Sequence, residues 1–232
     1  MRLAIIPARG GSKRVPRKNV RPFEGRSMLA YPIAAAQSCG LIDEVWVSTD
    51  DDEVIDLSRS LGAVVPFVRP ASLSDDFTGT DAVIAHAVQF ALDSGQRPTE
   101  VLCLYATTPL VRADDLRRAF AELSSPEVDF VAAVGRVETP PERLLRRDPD
   151  GRVHLRMPEH YLTRSQDLEP AFFDAGQFYW GRARSWLALG DRPFFDHRVK
   201  GFELPRHRLV DIDTPEDWAR AESIYRALST QT

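Results

Sequence analysis

The sequence predicts a three-layer α/β/α fold, a doubly wound and mostly parallel sheet with helices on both faces. Three observations carry that prediction. Strand-like apolar runs alternate with helix-like segments. A glycine-containing basic loop directly follows the first strand. The 232 residues, 43% hydrophobic and 28% charged, suffice for one generous core. In chain order, RLAIIP (2–7) is a short apolar run read as a strand, and the alanine-rich SMLAYPIAAAQSC (27–39) is read as a helix. EVWVST (44–49) is β-branched and strand-like, whereas 52–61 opens on an acidic turn that a helix N-terminus favours. AVVPFV (63–68), a helix from Thr80 to Ala91, the strand VLCLYA (101–106), a helix after Arg112 and the strand DFVAAVG (129–135) continue the alternation. Right-handed crossovers then set the strand carboxyl ends, and the loops that follow them, along one rim.

The rhythm breaks from Glu138 to Pro170, where five prolines and many charges accompany little apolar periodicity. Within a single domain spanning 1–232, this segment (138–170) is expected to be an excursion, either a lid or an arm that reaches a partner subunit. FFDAGQFYWG (172–181) and VKGFEL (199–204) resume as strands. A last helix starts at Thr214, whose TPED supplies an N-cap, a proline at the first helical position and early acids. No segment is long and apolar enough for a membrane span or a signal sequence, so a cytoplasmic location is expected. Cys39 and Cys103 are too few and too far apart for a metal or disulfide framework and read as core thiols. A net charge of −4 argues against general nucleic-acid binding, which needs a broad basic face.

The stretch IIPARGGSKRVPRKN (5–19) concentrates positive charge in an acidic chain: six basic side chains and no acidic one lie between Arg9 and Arg21. On the rim of an open sheet, Gly10 and Gly11 would let backbone N–H groups approach an anion, with Arg9 and Lys18 as countercharge. Pro16 and Pro22 stiffen the loop and lower the entropy cost of ordering it on a ligand. The pattern matches neither the Walker loop nor the dinucleotide fingerprint, so a phosphate-bearing ligand other than their usual ones is implied. Phosphoryl chemistry calls for a divalent cation, and VDIDTPED offers Asp211 and Asp213, spaced i, i+2, so that both carboxylates share a face if Val210 to Asp213 ends a strand. In STDDDEV (48–54), Asp50 is expected to face the site, and Asp51 to Glu53 to dress a helix N-terminus. No histidine cluster suggests a general base.

Taken together, IIPARGGSKRVPRKN, VSTDDDEV, RPASLSDDFTGTD, YATTPL, TRSQD, DAGQFYWG and DIDTPEDW resemble the cytidylyltransferases that activate nine-carbon acidic sugars, the CMP-sialic acid synthetase family. The resemblance runs from Ala4 to about Tyr225 and implies a nucleotide-diphospho-sugar transferase-like fold, CTP and a nine-carbon acidic sugar as substrates, Mg2+ and a homodimer. It further implies that the loop from Ala8 through Arg9, Gly10, Gly11 and Ser12 to Lys18 and Asn19 holds the CTP phosphates, with Lys18 and Arg9 stabilising the α-phosphate. Arg69 and Thr80 fall at pyrimidine positions, and Asp211 and Asp213 at the metal pair. Tyr105 stands where sialic acid enzymes carry glutamine, and Val111 replaces their arginine, which shifts the expected sugar towards pseudaminic acid. That sugar has a methyl end and two acetamido groups, so its pocket should be more apolar. Tyr105, Thr107, Gln177 and Tyr179 are therefore the expected sugar contacts, with Phe178 and Trp180 in the core. Arg164 and Gln166, on the arm, are expected to reach a partner's sugar site. Legionaminic or N-acetylneuraminic acid is the alternative substrate, and a silent CTP-binding regulator the alternative of another class.

Overall fold

β1 (Arg2–Pro7) is an inner strand of the main sheet of the computed structural model, which describes residues 1–11 and 14–230. Leu3 to Ile6 have no exposed surface, as befits a strand covered on both faces. Two short antiparallel strands, β2 (Pro22–Phe23) and β3 (Arg26–Ser27), follow the basic loop and turn through Glu24 and Gly25, both at positive φ. Next come α1 (Ala30–Ser38), β4 (Glu44–Ser48), α2 (Asp52–Ser60), α3 (Thr80–Asp93), β5 (Glu100–Leu104), α4 (Ala113–Glu122) and β6 (Phe130–Arg136). The hairpin β7 (Leu145–Arg147) and β8 (Val153–Leu155) precedes β9 (Phe172–Arg182), α5 (Ala183–Leu187), β10 (Val199–Glu203) and α6 (Pro215–Ser229).

The main sheet has the order β10-β6-β9-β5-β1-β4. Its side chains alternate between two helical layers, as a period of two requires. Ala4, Ile6, Leu102, Leu104 and Trp180 meet α1, α2 and α4 through Ile33, Val54 and Leu116. Leu3, Ile5, Val101, Cys103 and Phe130 meet α3 and α5 through Ile84, Val88 and Trp186. A third cluster joins α6 to the β2–β3 turn, where Phe23 packs edge-to-face on Tyr31, Trp218 and Tyr225 at 5.5 to 5.6 Å between ring centroids. From β1 the chain moves to β4 on one side and later to β5 on the other, so the carboxyl end of β1 lies at a topological switch point.

The alternating fold is as the sequence predicts, with four local differences. β9 runs antiparallel to both β5 and β6, the one reversed strand of the main sheet. AVVPFV forms no strand: Val64 and Val68 make isolated bridges and are 42% and 63% exposed, because Pro66 has no N–H to extend a ladder. α1 begins at Ala30, since Arg26 and Ser27 pair in β3. Val210 to Asp213 is irregular rather than strand. Thr214 caps α6 in a reciprocal box with Asp217 behind Pro215, and Cys39 and Cys103 are buried free thiols, both as expected. The segment from Glu138 to Pro170 contains the β7–β8 hairpin and not one buried residue, while leaving Leu145, Tyr161 and Leu162 exposed.

What holds the irregular segment is a buried ion pair. Arg208 grips both carboxylate oxygens of Asp115 on α4, and the two residues are 5% and 3% exposed. Removing one partner leaves an uncompensated buried charge. Asp115→Ala is thus expected to lower unfolding free energy by about 3–5 kcal/mol, read as a lower urea midpoint.

Candidate active site

The basic loop leaves β1 at Pro7 and is fastened at several points. Ala8 N–H donates to the Ser48 carbonyl at 2.9 Å, and Gly10 N–H to Asp50 Oδ1 at 3.0 Å. Asn19, buried, donates its amide to the Arg9 carbonyl at 2.9 Å and so closes the loop on itself. Arg17 takes a positive φ of 59° and spans Asp51 and Glu53 at the start of α2. Asp51 caps that helix by accepting from Val54 N–H at 3.0 Å. Gly11 is exposed, and Ser12 lies outside the described residues.

Opposite the loop stands the segment before α6. Lys18 Nζ donates to the Ile212 carbonyl at 2.9 Å and lies 3.6 Å from Asp213, which Arg14 also pairs at 2.9 Å. Ile212 is fully buried, so Asp211 and Asp213 flank an inward side chain. The i, i+2 spacing thereby sets both acids on the outward side without a strand. Burial, and then the Asp213 carboxylate, push the Asp211 carboxyl above its ordinary range, with Lys18 and Arg14 opposing. No group of three or more His, Cys, Asp or Glu side chains fit to hold a metal occurs among the described residues. Two hard oxygen donors suit an ion that keeps waters and takes phosphate oxygens for the rest of its shell, which describes Mg2+.

Loop side chains Arg9, Arg14, Lys18 and Asn19 and, of the acid pair, Asp213 border a cavity of about 490 Å³ that also takes in Arg69, Thr78 and Thr107. Arg69 is buried, donates to Ser48 Oγ at 3.0 Å and to the Ser48 carbonyl, and its guanidinium is pushed down to about 10 by that burial. Arg9 closes the rim by donating to the Asp75 carbonyl at 2.6 Å and pairing Asp76 at 2.8 Å. A second cavity of about 250 Å³ shares Thr80 and Tyr105 with the first, and their hydroxyls lie 3.2 Å apart. Tyr179, Trp186, Phe194 and Phe195 form its aromatic wall, and Asp81 and Asp174 also line it. Burial raises the Tyr105 phenol above its ordinary range and the Tyr179 phenol well above it, so both keep their protons and can donate hydrogen bonds.

Most of the expected residues converge here. Arg9, Lys18, Asn19, Arg69, Thr80, Tyr105, Thr107 and Asp213 line the larger cavity, and Tyr179 the smaller. Phe178 and Trp180 are core residues. Asp211 and Gln177 line neither cavity, and Gln177, 3% exposed, donates its amide to the Arg208 carbonyl at 2.8 Å. Gln177 follows Gly176, at φ 58°, where the register of the β6–β9 pairing shifts. Arg164 and Gln166 line neither cavity; both lie on the 138–170 segment, where Arg164 pairs Asp167 at 2.7 Å. Sequence reasoning missed Arg14, Asp81, Asp174, Trp186, Phe194 and Phe195 as cavity residues. The last three had only their aromatic character as a signal, which core residues share.

A basic loop at a sheet switch point, faced by Asp213 across an open cavity, is the arrangement of a nucleotidyltransferase. A family model described as cytidylyltransferase matches residues 3–225, and the chain belongs to that family. It is 39% identical over 97% of its length to a pseudaminic acid cytidylyltransferase of Campylobacter jejuni, covering 96% of that protein. A CMP-N,N'-diacetyllegionaminic acid synthase of Legionella pneumophila is 31% identical, with 96% of this chain and 95% of the relative covered. Among solved structures, a CMP:2-keto-3-deoxy-manno-octonic acid synthetase complexed with CTP matches 98% of this chain and 99% of its own, with TM-score 0.71 and 18% identity. That likeness shows a shared fold.

The loop tolerates little added bulk at one glycine. A Cβ on Gly10 would sit 2.5 Å from Asp51 Oδ2 and 2.9 Å from Asp51 Cβ, whereas on Gly11 it would meet nothing within 4 Å. Overpacking of ~1–3 kcal/mol is a loss of roughly 5- to 150-fold. Gly10→Ala is expected to raise the KM for CTP within that range in a steady-state titration, and Gly11→Ala by clearly less.

Proposed function

We propose that this chain transfers CMP from CTP to the anomeric hydroxyl of pseudaminic acid and releases pyrophosphate, in the synthesis of bacterial surface glycans. The observation that carries the reading is the pair of joined cavities, one basic and one aromatic, meeting at Tyr105 and Thr80. CTP takes the larger, its phosphates on Arg9, Lys18 and the loop N–H groups and its pyrimidine towards Arg69 and Thr80. The sugar takes the smaller, against Tyr105 and Tyr179. End-to-end similarity to proteins named for pseudaminic acid supports this choice of sugar. The Legionella relative makes a legionaminic acid the second candidate.

The sugar oxygen attacks the α-phosphorus in line while the bond to the β-phosphate oxygen breaks, and pyrophosphate departs. Lys18, anchored by the Ile212 carbonyl, and Arg9 offset the charge gathering on the α-phosphate oxygens. Asp211 and Asp213 would hold Mg2+, which when bound supplies Lewis-acid neutralisation of the phosphate oxygens. The exposed apolar side chains of the 138–170 segment fit an interface with a second copy, carrying Arg164 and Gln166 towards that copy's sugar site. A CTP-consuming enzyme of this kind fits a cytoplasmic location, and no helix is long and apolar enough to cross a membrane among the described residues.

Pyrophosphate release from CTP with a panel of nine-carbon acidic sugars tests the reading. Highest kcat/KM with pseudaminic acid is the expected result, and no release with any of them sinks the proposal. Asp213→Asn removes a metal-holding charge while keeping shape, so it should lose at least about 100-fold in kcat at ordinary Mg2+ and recover in part at higher Mg2+. Wild-type rates unaffected by EDTA would contradict the role given to the metal. Lys18→Ala should lower kcat by about 100- to 1,000-fold with a much smaller rise in the KM for CTP. Loss through KM alone would reassign Lys18 to ground-state phosphate binding.

A further inference from the structure

The smaller cavity differs from its neighbour in charge. Among the described residues no lysine or arginine lines it, yet two acids do, Asp81 and Asp174. An acidic sugar entering with its carboxylate inward would meet like charge at both, beside the rings of Trp186, Phe194 and Phe195. The sugar carboxylate therefore faces the other way, and the tail enters. What two carboxylates and a set of ring faces recognise in such a tail is N–H and O–H donors flanked by methyl groups.

Asp174 is built for that task. Gly176 N–H donates to its Oδ1 at 3.0 Å, and the Tyr179 hydroxyl lies 2.7 Å from each carboxylate oxygen. Two local donors hold the carboxylate, which has about four acceptor sites, so capacity remains for a ligand. The Tyr179 ring is itself buried against Tyr105 at 5.7 Å between centroids, which joins this carboxylate to the mouth shared with the larger cavity. Asp81, in the first turn of α3, is exposed and makes no hydrogen bond or ion pair among the described residues. A helix N-terminus alone would account for Asp81 but not for Asp174, which lies on a strand.

Resting on the reading that the smaller cavity takes the acceptor, we propose that Asp174, with Asp81 beside it, sets sugar specificity by accepting the amide N–H groups of N-acyl substituents. The acyl methyl groups then lie on Trp186 and Phe194, and the sugar carboxylate stays outside this cavity. The two acids are specificity residues and take no part in bond making.

The test is a steady-state comparison at saturating CTP of wild type, Asp174→Asn and Asp81→Asn. The acceptors are the bis-N-acetylated sugar and two analogues, each with one acetamido group replaced by hydrogen. At least about a tenfold rise in sugar KM is expected for Asp174→Asn, with the KM for CTP and the thermal midpoint near wild type. One analogue should lose a similar factor in wild type and little more in that variant, the non-additivity of partners in contact. A sugar KM within twofold of wild type in both variants would overturn the proposal. So would an equal loss on all three sugars, which is the pattern of a merely structural role. If wild type releases no pyrophosphate with any of these sugars, the acceptor reading itself fails, and the specificity proposal with it.

Discussion

The site depends on one contact across the length of the chain: Lys18, on the loop after β1, donates to the carbonyl of Ile212, just before α6. A hydrogen bond from a charged donor contributes only about 1.5–3 kcal/mol, but this one decides where two opposite clusters of charge meet. Ile212 is buried, so its carbonyl is a rigid acceptor, and Arg208 on Asp115 fixes the same segment from behind. On the loop side, Asn19 on the Arg9 carbonyl and Gly10 on Asp50 limit the positions Lys18 can take. The ammonium and the two carboxylates are thus positioned by groups that are themselves packed or hydrogen-bonded, the arrangement that transition-state electrostatics require.

The sheet explains why this convergence occurs where it does. The chain passes from β1 to β4 on one side and then crosses to β5 on the other, so the loops at the strand carboxyl ends part and leave a crevice. β9, inserted antiparallel between β5 and β6, brings the opposite end of a strand to that rim. Its direction delivers Asp174 and Tyr179 beside Tyr105, extending the crevice into a second cavity of different character. The Thr80 and Tyr105 hydroxyls mark the division: on one side basic groups accompany the acids, and on the other aromatic rings and two acids stand without a basic side chain among the described residues. An acidic molecule with an uncharged acylated tail has one favourable orientation across such a boundary, since only one end of it tolerates the acids.

Much of this was legible locally. Strand and helix periods, the cap at Thr214, the charge between Arg9 and Arg21 and the acids at 211 and 213 are properties of neighbouring residues, and local physics acts on neighbours. Trp180 and Phe178 were assignable to the core for the same reason. Even where the expected strand at 210–213 is absent, the two-residue spacing around a buried Ile212 turns both acids outward.

Tertiary structure alone decided the rest. The Gln177 amide is committed to the Arg208 carbonyl, a contact between residues 31 apart that no period of two contains. AVVPFV has strand composition, yet Pro66 and exposed neighbours deny it a ladder. Asp81, Asp174 and Phe194 come from a helix start, a strand and a short turn, and their meeting in one cavity follows from which strand lies beside which. Strand neighbours are chosen by the burial of whole faces rather than by any residue's own preference, so sequence determined the parts and the charge of this site, and packing determined which parts share a wall.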